Sequence, residues 1–203
     1  MTRDTILSRI RAATTLPANP APAHHRARAR LVTPGDEAIA RFRANAEVKG
    51  ATIIEIENLT ALPAALARTI PDARTIRMND PVFREMPWSD AGVTPLFGAA
   101  TPDDTVALSR ALAAVAETGT LVLASSAENP PSFAFLPEVH IVLISRSEIV
   151  GAFEDALGIL HHRFRTNFPR SVNFISGASR TGDIGGRIVH GAHGPRRLIV
   201  AIC

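Results

Sequence analysis

The sequence predicts an α/β fold, a mainly parallel sheet flanked by helices, with a short N-terminal helix and linker in front of it. Three observations predict it. Strand-type and helix-type segments alternate through residues 33–78, which is the pattern of a parallel sheet. The runs at residues 120–124 and 139–144 are apolar almost throughout, as strands covered on both faces are. A length of 203 residues suits one main domain with a sizeable core.

Taken in order, residues 2–13 carry Ile6, Leu7 and Ile10 at helical spacing and read as a short amphipathic helix. Residues 17–30 combine three prolines with an alternating arginine run and no apolar period, so they read as an exposed linker. The division expected is therefore residues 1–30 as helix and linker and residues 31–203 as a single α/β domain. Thr33-Pro34 makes a helix start, a capping hydroxyl followed by proline, with Ile39, Phe42 and Ala46 on the buried face and Gly50 as the stop. Residues 51–56 form a strand, 60–70 an alanine-leucine helix and 74–78 a second strand. The prolines at 81, 87 and 95 break periodicity across residues 79–101, leaving a loop with Trp88 as a packing residue and a short strand near 94–97.

Residues 103–117 fit either one helix or a strand followed by a helical turn, and periodicity does not separate the two. Residues 147–164 read as a long helix capped by Ser147. Phe174-Ile175 opens a strand, residues 180–189 read as a helix, and residues 197–202 close the chain as a strand.

Composition excludes several classes. With 46% hydrophobic and 20% charged residues the chain is that of an ordinary globular protein. The pI near 10.3 comes from arginine and the absence of tyrosine, because the net charge is only +3 and Lys49 is the sole lysine among 22 basic residues. Those arginines are scattered, whereas nucleic acid requires clustering on one face, so no nucleic-acid partner is expected. Cys203 is the only cysteine, which excludes a disulfide within the chain and a cysteine-held zinc or iron–sulfur centre of its own. Charges interrupt residues 1–16, and no stretch reaches the roughly 20 apolar residues of a membrane span. A cytoplasmic protein without membrane insertion is expected.

Three clusters can carry chemistry. The segment Phe174-Ile-Ser-Gly-Ala-Ser-Arg-Thr-Gly-Asp-Ile-Gly-Gly-Arg187 runs from an apolar strand into small hydroxyl residues and a helix start. There, Ser176, Ser179 and Thr181 supply hydroxyls, Gly177 permits close backbone approach and Arg180 is a fork for carboxylate or phosphate. The same residues also suit a plain turn in which Ser179 or Thr181 caps the helix and Asp183 complements its dipole. In His190-Gly-Ala-His-Gly-Pro-Arg-Arg197 the glycines argue against a histidine metal pair, and no metal is expected, while Arg196 can join Arg180. In Ala116-Glu-Thr-Gly-Thr120, Glu117 is either a general base or nucleophile or a glutamate bonded to its own turn. His140 reads as a satisfied core histidine.

Together the blocks 116–123, 136–143, 175–184 and 189–196 resemble the lactate-utilisation protein C family, the LUD domain. The resemblance implies a fold related to ribose-5-phosphate isomerase, glucosamine-phosphate deaminase and CoA transferases, with ligands at the carboxyl ends of the strands. It also implies a strand at about 105–108 and then a helical turn into Glu117. By resemblance the chain is a subunit of an L-lactate oxidation system, has no cofactor of its own and works with iron–sulfur partner proteins. The implied site binds a small anionic ligand through Thr118, Gly119, Thr120, Ser176, Gly177, Ser179, Arg180, Thr181, Asp183, His193, Gly194 and Arg196, with Glu117 as the catalytic candidate. Ala178 stands where proline is common in the family, and Gly185 where an acid is. Two further readings stay open, a stand-alone isomerase-like or CoA-transferase-like enzyme using Glu117, and a non-catalytic scaffold for iron–sulfur proteins.

Overall fold

The branched apolar runs at the chain's centre and end pair into one parallel sheet because each can be covered on both faces. The computed structural model describes residues 2–13, 35–184 and 187–203, with backbone alone at 182–184 and 187–188. The first half comprises α1 (Arg3–Ala13), α2 (Asp36–Val48), β1 (Ala51–Glu55), α3 (Leu62–Thr69), β2 (Thr75–Met78), β3 (Thr94–Phe97) and β4 (Val106–Arg110). The second half begins with β5 (Ala113–Val115), β6 (Thr120–Ala124), β7 (Val139–Ile144) and β8 (Ile149–Val150). It ends with α4 (Phe153–Arg163), β9 (Val172–Ile175), β10 (Arg180–Ile184), β11 (Arg187–His190) and β12 (Arg197–Ile202).

Six strands form the parallel sheet in the order β1-β12-β7-β4-β2-β3, so the last strand inserts between the first and the seventh. Alternation along β7 and β12 sorts the core into two layers. Ile141, Leu143, Ile199 and Ala201 face α3 and the 81–93 loop, packing with Leu62, Leu66, Phe83 and Trp88. Val142, Ile144, Leu198, Val200 and Ile202 face α2 and a second sheet, packing with Phe42, Ala46, Leu121 and Leu123. That second sheet has the order β8-β5-β6-β9, in which β6 runs antiparallel to β5 and β9. Trp88 is buried, and its indole N–H donates to the Phe83 carbonyl at 2.7 Å.

Three expected elements differ. Residues 180–189 are not a helix: β10 and β11 form an antiparallel hairpin, Arg180 opposite His190 and Thr181 opposite Val189. In the sequence, Gly182, Gly185 and Gly186 penalise a helix, and two β-rich runs flanking a glycine pair are a hairpin signal. The helical turn into Glu117 is instead β5, fully buried between β6 and β8. The helix expected at 147–164 begins only at Phe153, because Ile149 and Val150 pair with Ala114 and Val115 of β5. The linker at 17–30 and the Thr33-Pro34 helix start lie outside the described residues. Among the described residues no helix is long and apolar enough to cross a membrane.

Asp104, just before β4, ties that strand to β2. Arg77 Nε donates to both carboxylate oxygens at 3.0 Å, and the Thr101 amide and hydroxyl donate to Oδ2 at 2.8 and 2.9 Å. Burial opposes ionisation of this carboxyl, but the bonds from Arg77 and Thr101 outweigh it and hold Asp104 below the usual carboxylate range. The stability it confers is therefore present above about pH 4 and lost as pH falls through the depressed folded value. Asp104→Asn is expected to cost about 1–3 kcal/mol in urea melts at pH 7 and less at pH 3. Equal costs at the two pH values would refute the assignment.

Candidate functional site

Two glycine turns from distant parts of the chain press against one helix end. Gly119, in the β5–β6 turn, has φ +63°, and a Cβ there would lie 2.5 Å from the Ala46 backbone nitrogen of α2. Gly177, after β9, has φ +100°, and its Cβ would lie 2.4 Å from the Lys49 carbonyl. Asn45 secures the first turn by donating Nδ2 to the Ala116 and Glu117 carbonyls at 2.8 and 3.1 Å.

Lys49, at the C-cap of α2, then joins the two turns. Its ammonium donates to the Thr118 carbonyl at 2.5 Å and to Ser176 Oγ at 2.7 Å. Thr120 Oγ1 lies 3.0 Å from Ser176 Oγ and accepts from Thr118 Oγ1 at 2.9 Å. The Arg180 guanidinium lies over Gly50, so closely that a Cβ on Gly50 would sit 2.2 Å from its terminal nitrogen. The result is a corner with two cations and three hydroxyls, the functional groups that recognise a carboxylate or phosphate.

A second feature adjoins the first along the 176–179 segment. The Ser179 amide donates to the Pro195 carbonyl at 2.8 Å, the Gly191 amide to the Ser179 carbonyl at 2.9 Å, and the His193 amide to Ser179 Oγ at 3.4 Å. These bonds close the 191–195 turn over a cavity of about 230 Å³ lined by Phe135, His140, Phe174, Ser179, His193 and Gly194, among others. His140 is 1% exposed, and its Nε2 lies 2.7 Å from Ser109 Oγ. Burial pushes its pKa down to about 3, so the imidazole is neutral.

The expected site residues thus divide. Thr118, Thr120 and Ser176 meet at Lys49, with Gly119 against Ala46 and Arg180 over the adjacent Gly50, while Ser176 also lines the cavity together with Gly177, Ser179, His193 and Gly194. Arg196 lies against Gly191, whose Cβ would fall 2.3 Å from Arg196 Cγ. Thr181 pairs with Val189 in the hairpin, and the Asp183 side chain is outside the described residues. The Glu117 carboxylate accepts the amide hydrogen of Phe153, the first residue of α4, at 3.0 Å and does not line the cavity.

The cavity sits at the amino ends of β7 and β12, where His140 is in register with Leu198, and not at the carboxyl ends that the family resemblance implies. At the carboxyl ends of β2 and β4 there is a recess of about 110 Å³ beside Asp80, Arg110 and Asn129. A wider recess of about 770 Å³ follows α4 past Asp155 and His162 and contains none of the expected residues. Among the described residues no group of three or more His, Cys, Asp or Glu side chains converges to hold a metal.

Sequence reasoning missed Lys49 and passed over His140. A lone lysine directly before the glycine that stops α2 was the available signal for the first. For the second it was a histidine inside an otherwise apolar buried strand.

The chain is similar to known proteins in sequence and in shape. The LUD domain family profile matches residues 103–203. Lactate utilization protein C of Deinococcus radiodurans is 30% identical over 148 residues, covering 70% of this chain and 68% of that protein. Lactate utilization protein C 1 of Bacillus mycoides is 36% identical over 90 residues, and an uncharacterized protein of Neisseria meningitidis is 38% identical over 86. These two matches span only 38% and 36% of the relatives' own lengths. The crystal structure of a DUF162 family protein from Deinococcus radiodurans superposes with a TM-score of 0.62 at 22% identity, over 82% of this chain and 96% of that one. This last likeness establishes the α/β fold.

Proposed function

The chain belongs to the LUD domain family, and from that premise we propose that it serves lactate utilisation by binding a small carboxylate or phosphate anion at the Lys49 corner. The observation that supports the anion is the junction itself: one ammonium holding the Thr118 carbonyl and the Ser176 hydroxyl, with the Arg180 guanidinium over the adjacent Gly50. An ammonium has three donors, and two are engaged within the protein, so the third remains for a ligand oxygen. Arg180 adds a bidentate fork, and the Ser176 and Thr120 hydroxyls can reorient to donate.

In this reading the protein supplies binding and orientation. The electron-transfer chemistry of L-lactate oxidation belongs to iron–sulfur partner proteins in the cytoplasm. Glu117 has a positioning part, since its carboxylate fixes the first turn of α4 through the Phe153 amide.

Calorimetric titration with L-lactate, pyruvate and inorganic phosphate tests the corner. Binding of at least one is expected, and Lys49→Ala and Arg180→Ala should each weaken it by roughly tenfold or more, the size of a hydrogen bond to a charged group. Arg180→Lys should also weaken it, because a point charge does not reproduce the fork. Absence of heat with all three anions on the wild-type protein would overturn the anion reading.

A further inference from the structure

We propose that the cavity over His140, which adjoins the Lys49 corner at Ser176, is a second binding site, for a small uncharged aromatic ring that carries one hydrogen-bonding group. Four observations converge on this ligand class. The cavity's volume of about 230 Å³ exceeds the roughly 150 Å³ that holds a benzene molecule in a protein interior, so one substituted ring fits. Its lining contains no aspartate, glutamate, lysine or arginine, and an ion placed there would lose its hydration without a counter-charge. Phe135 and Phe174, both lining residues, are 49% and 45% exposed, so each leaves apolar ring area that a planar ligand can cover, Phe174 alongside its tilted contact with Phe153. The fourth observation is His140 itself.

This imidazole sits on the sheet face that carries Val142 and Leu198, and Ser109 of the neighbouring strand engages its Nε2. The only side-chain hydrogen bond of His140 among the described residues is the one at Nε2, and the residue lines the cavity. A ring nitrogen left open to the cavity is a hydrogen-bonding site that a ligand hydroxyl or carbonyl can engage. A neutral imidazole can serve either, because one ring nitrogen donates and the other accepts, and the rotatable Ser109 hydroxyl complements whichever tautomer the ligand selects. Ser109 is thus a positioning residue and His140 the recognising one.

The test compares three probes by ligand-observed NMR titration of the full chain at pH 7: phenol, toluene and benzoate. Phenol is expected to bind up to about tenfold more tightly than toluene, the equivalent of one net hydrogen bond, and benzoate more weakly than phenol. His140→Leu should erase the preference for phenol while retaining toluene. Ala178→Leu, which fills the lining and leaves His140 in place, should weaken both and serves if His140→Leu does not fold. Lys49→Ala and Arg180→Ala should leave the phenol-to-toluene ratio unchanged, so failure of the anion corner is distinguishable from failure of this site. Equal affinity for phenol and toluene, benzoate bound as tightly as phenol, a folded His140→Leu that keeps the preference, or an Ala178→Leu protein with unaltered phenol binding would each overturn the proposal.

Discussion

Gly119→Ala is expected to destabilise the protein by about 2–5 kcal/mol, the sum of a backbone penalty and a clash. The backbone penalty comes from φ +63°, a left-handed conformation that costs a residue bearing a Cβ about 1–2 kcal/mol. The clash comes from the helix beside it. A Cβ at position 119 would lie 2.5 Å from the Ala46 nitrogen and 2.6 Å from the Asn45 carbonyl carbon. These are main-chain atoms and cannot rotate aside, so α2 has to move. Moving α2 loosens the Asn45 bonds to the turn and the packing of Phe42 and Ala46 against the sheet. Overpacking of that kind adds about 1–3 kcal/mol. Gly92→Ala is the matched control, because Gly92 has φ +67° but open space around the position. Its loss should be only the conformational part. Urea melts of both variants measure the difference, and a Gly119→Ala protein no less stable than Gly92→Ala would refute the packing account.

The sheet was legible in the sequence where residues are buried on both faces, as in β6, β7 and β12, because such runs leave no room for an amphipathic alternative. The short strands were not. Ile149 and Val150 look like the start of a helix until β5 lies beside them, and β5 itself is a small alanine-rich stretch whose strand character comes from its neighbours. The hairpin at 180–190 was misread because a run of hydroxyls and glycines after a strand suits a helix start as well as a turn, and local chemistry does not separate the two. The site was legible as blocks and not as an arrangement. Glycines 119 and 177 and the residues around them stood out, but Lys49 acquires meaning only when folding carries it, across more than sixty positions of chain, to Thr118 and Ser176. His140 was hidden for a related reason. In sequence it is one polar residue in an apolar strand, and only the space left by the 174–179 and 193–195 segments distinguishes a cavity floor from a filled core.

Acidification is expected to weaken the protein well before its carboxylates titrate, and His140 supplies the cause. In the folded chain burial pushes this imidazole down to about 3, whereas in the unfolded chain it titrates near its ordinary value of 6.5. Between those values the unfolded state binds a proton that the folded state does not, so stability rises with pH across that window. The stability is fully present above about pH 6.5 and declines by about 1.4 kcal/mol for each unit below it, reaching a loss of about 3 kcal/mol near pH 4. Asp104 acts in the same direction but in a lower window, since its contribution disappears only below the ordinary carboxylate range. The two are therefore separable by pH. Denaturant unfolding at pH 7, 6, 5 and 4 should give the wild-type protein a steeper dependence than His140→Leu by about one proton, and a further measurement at about pH 3 should show the Asp104 loss in both. Parallel pH dependences for wild type and His140→Leu between pH 6.5 and 4 would mean that position 140 exchanges its proton with solvent in the folded state. An open imidazole of that kind would titrate without cost to folding, and a neutral recogniser at the cavity floor would be lost with it.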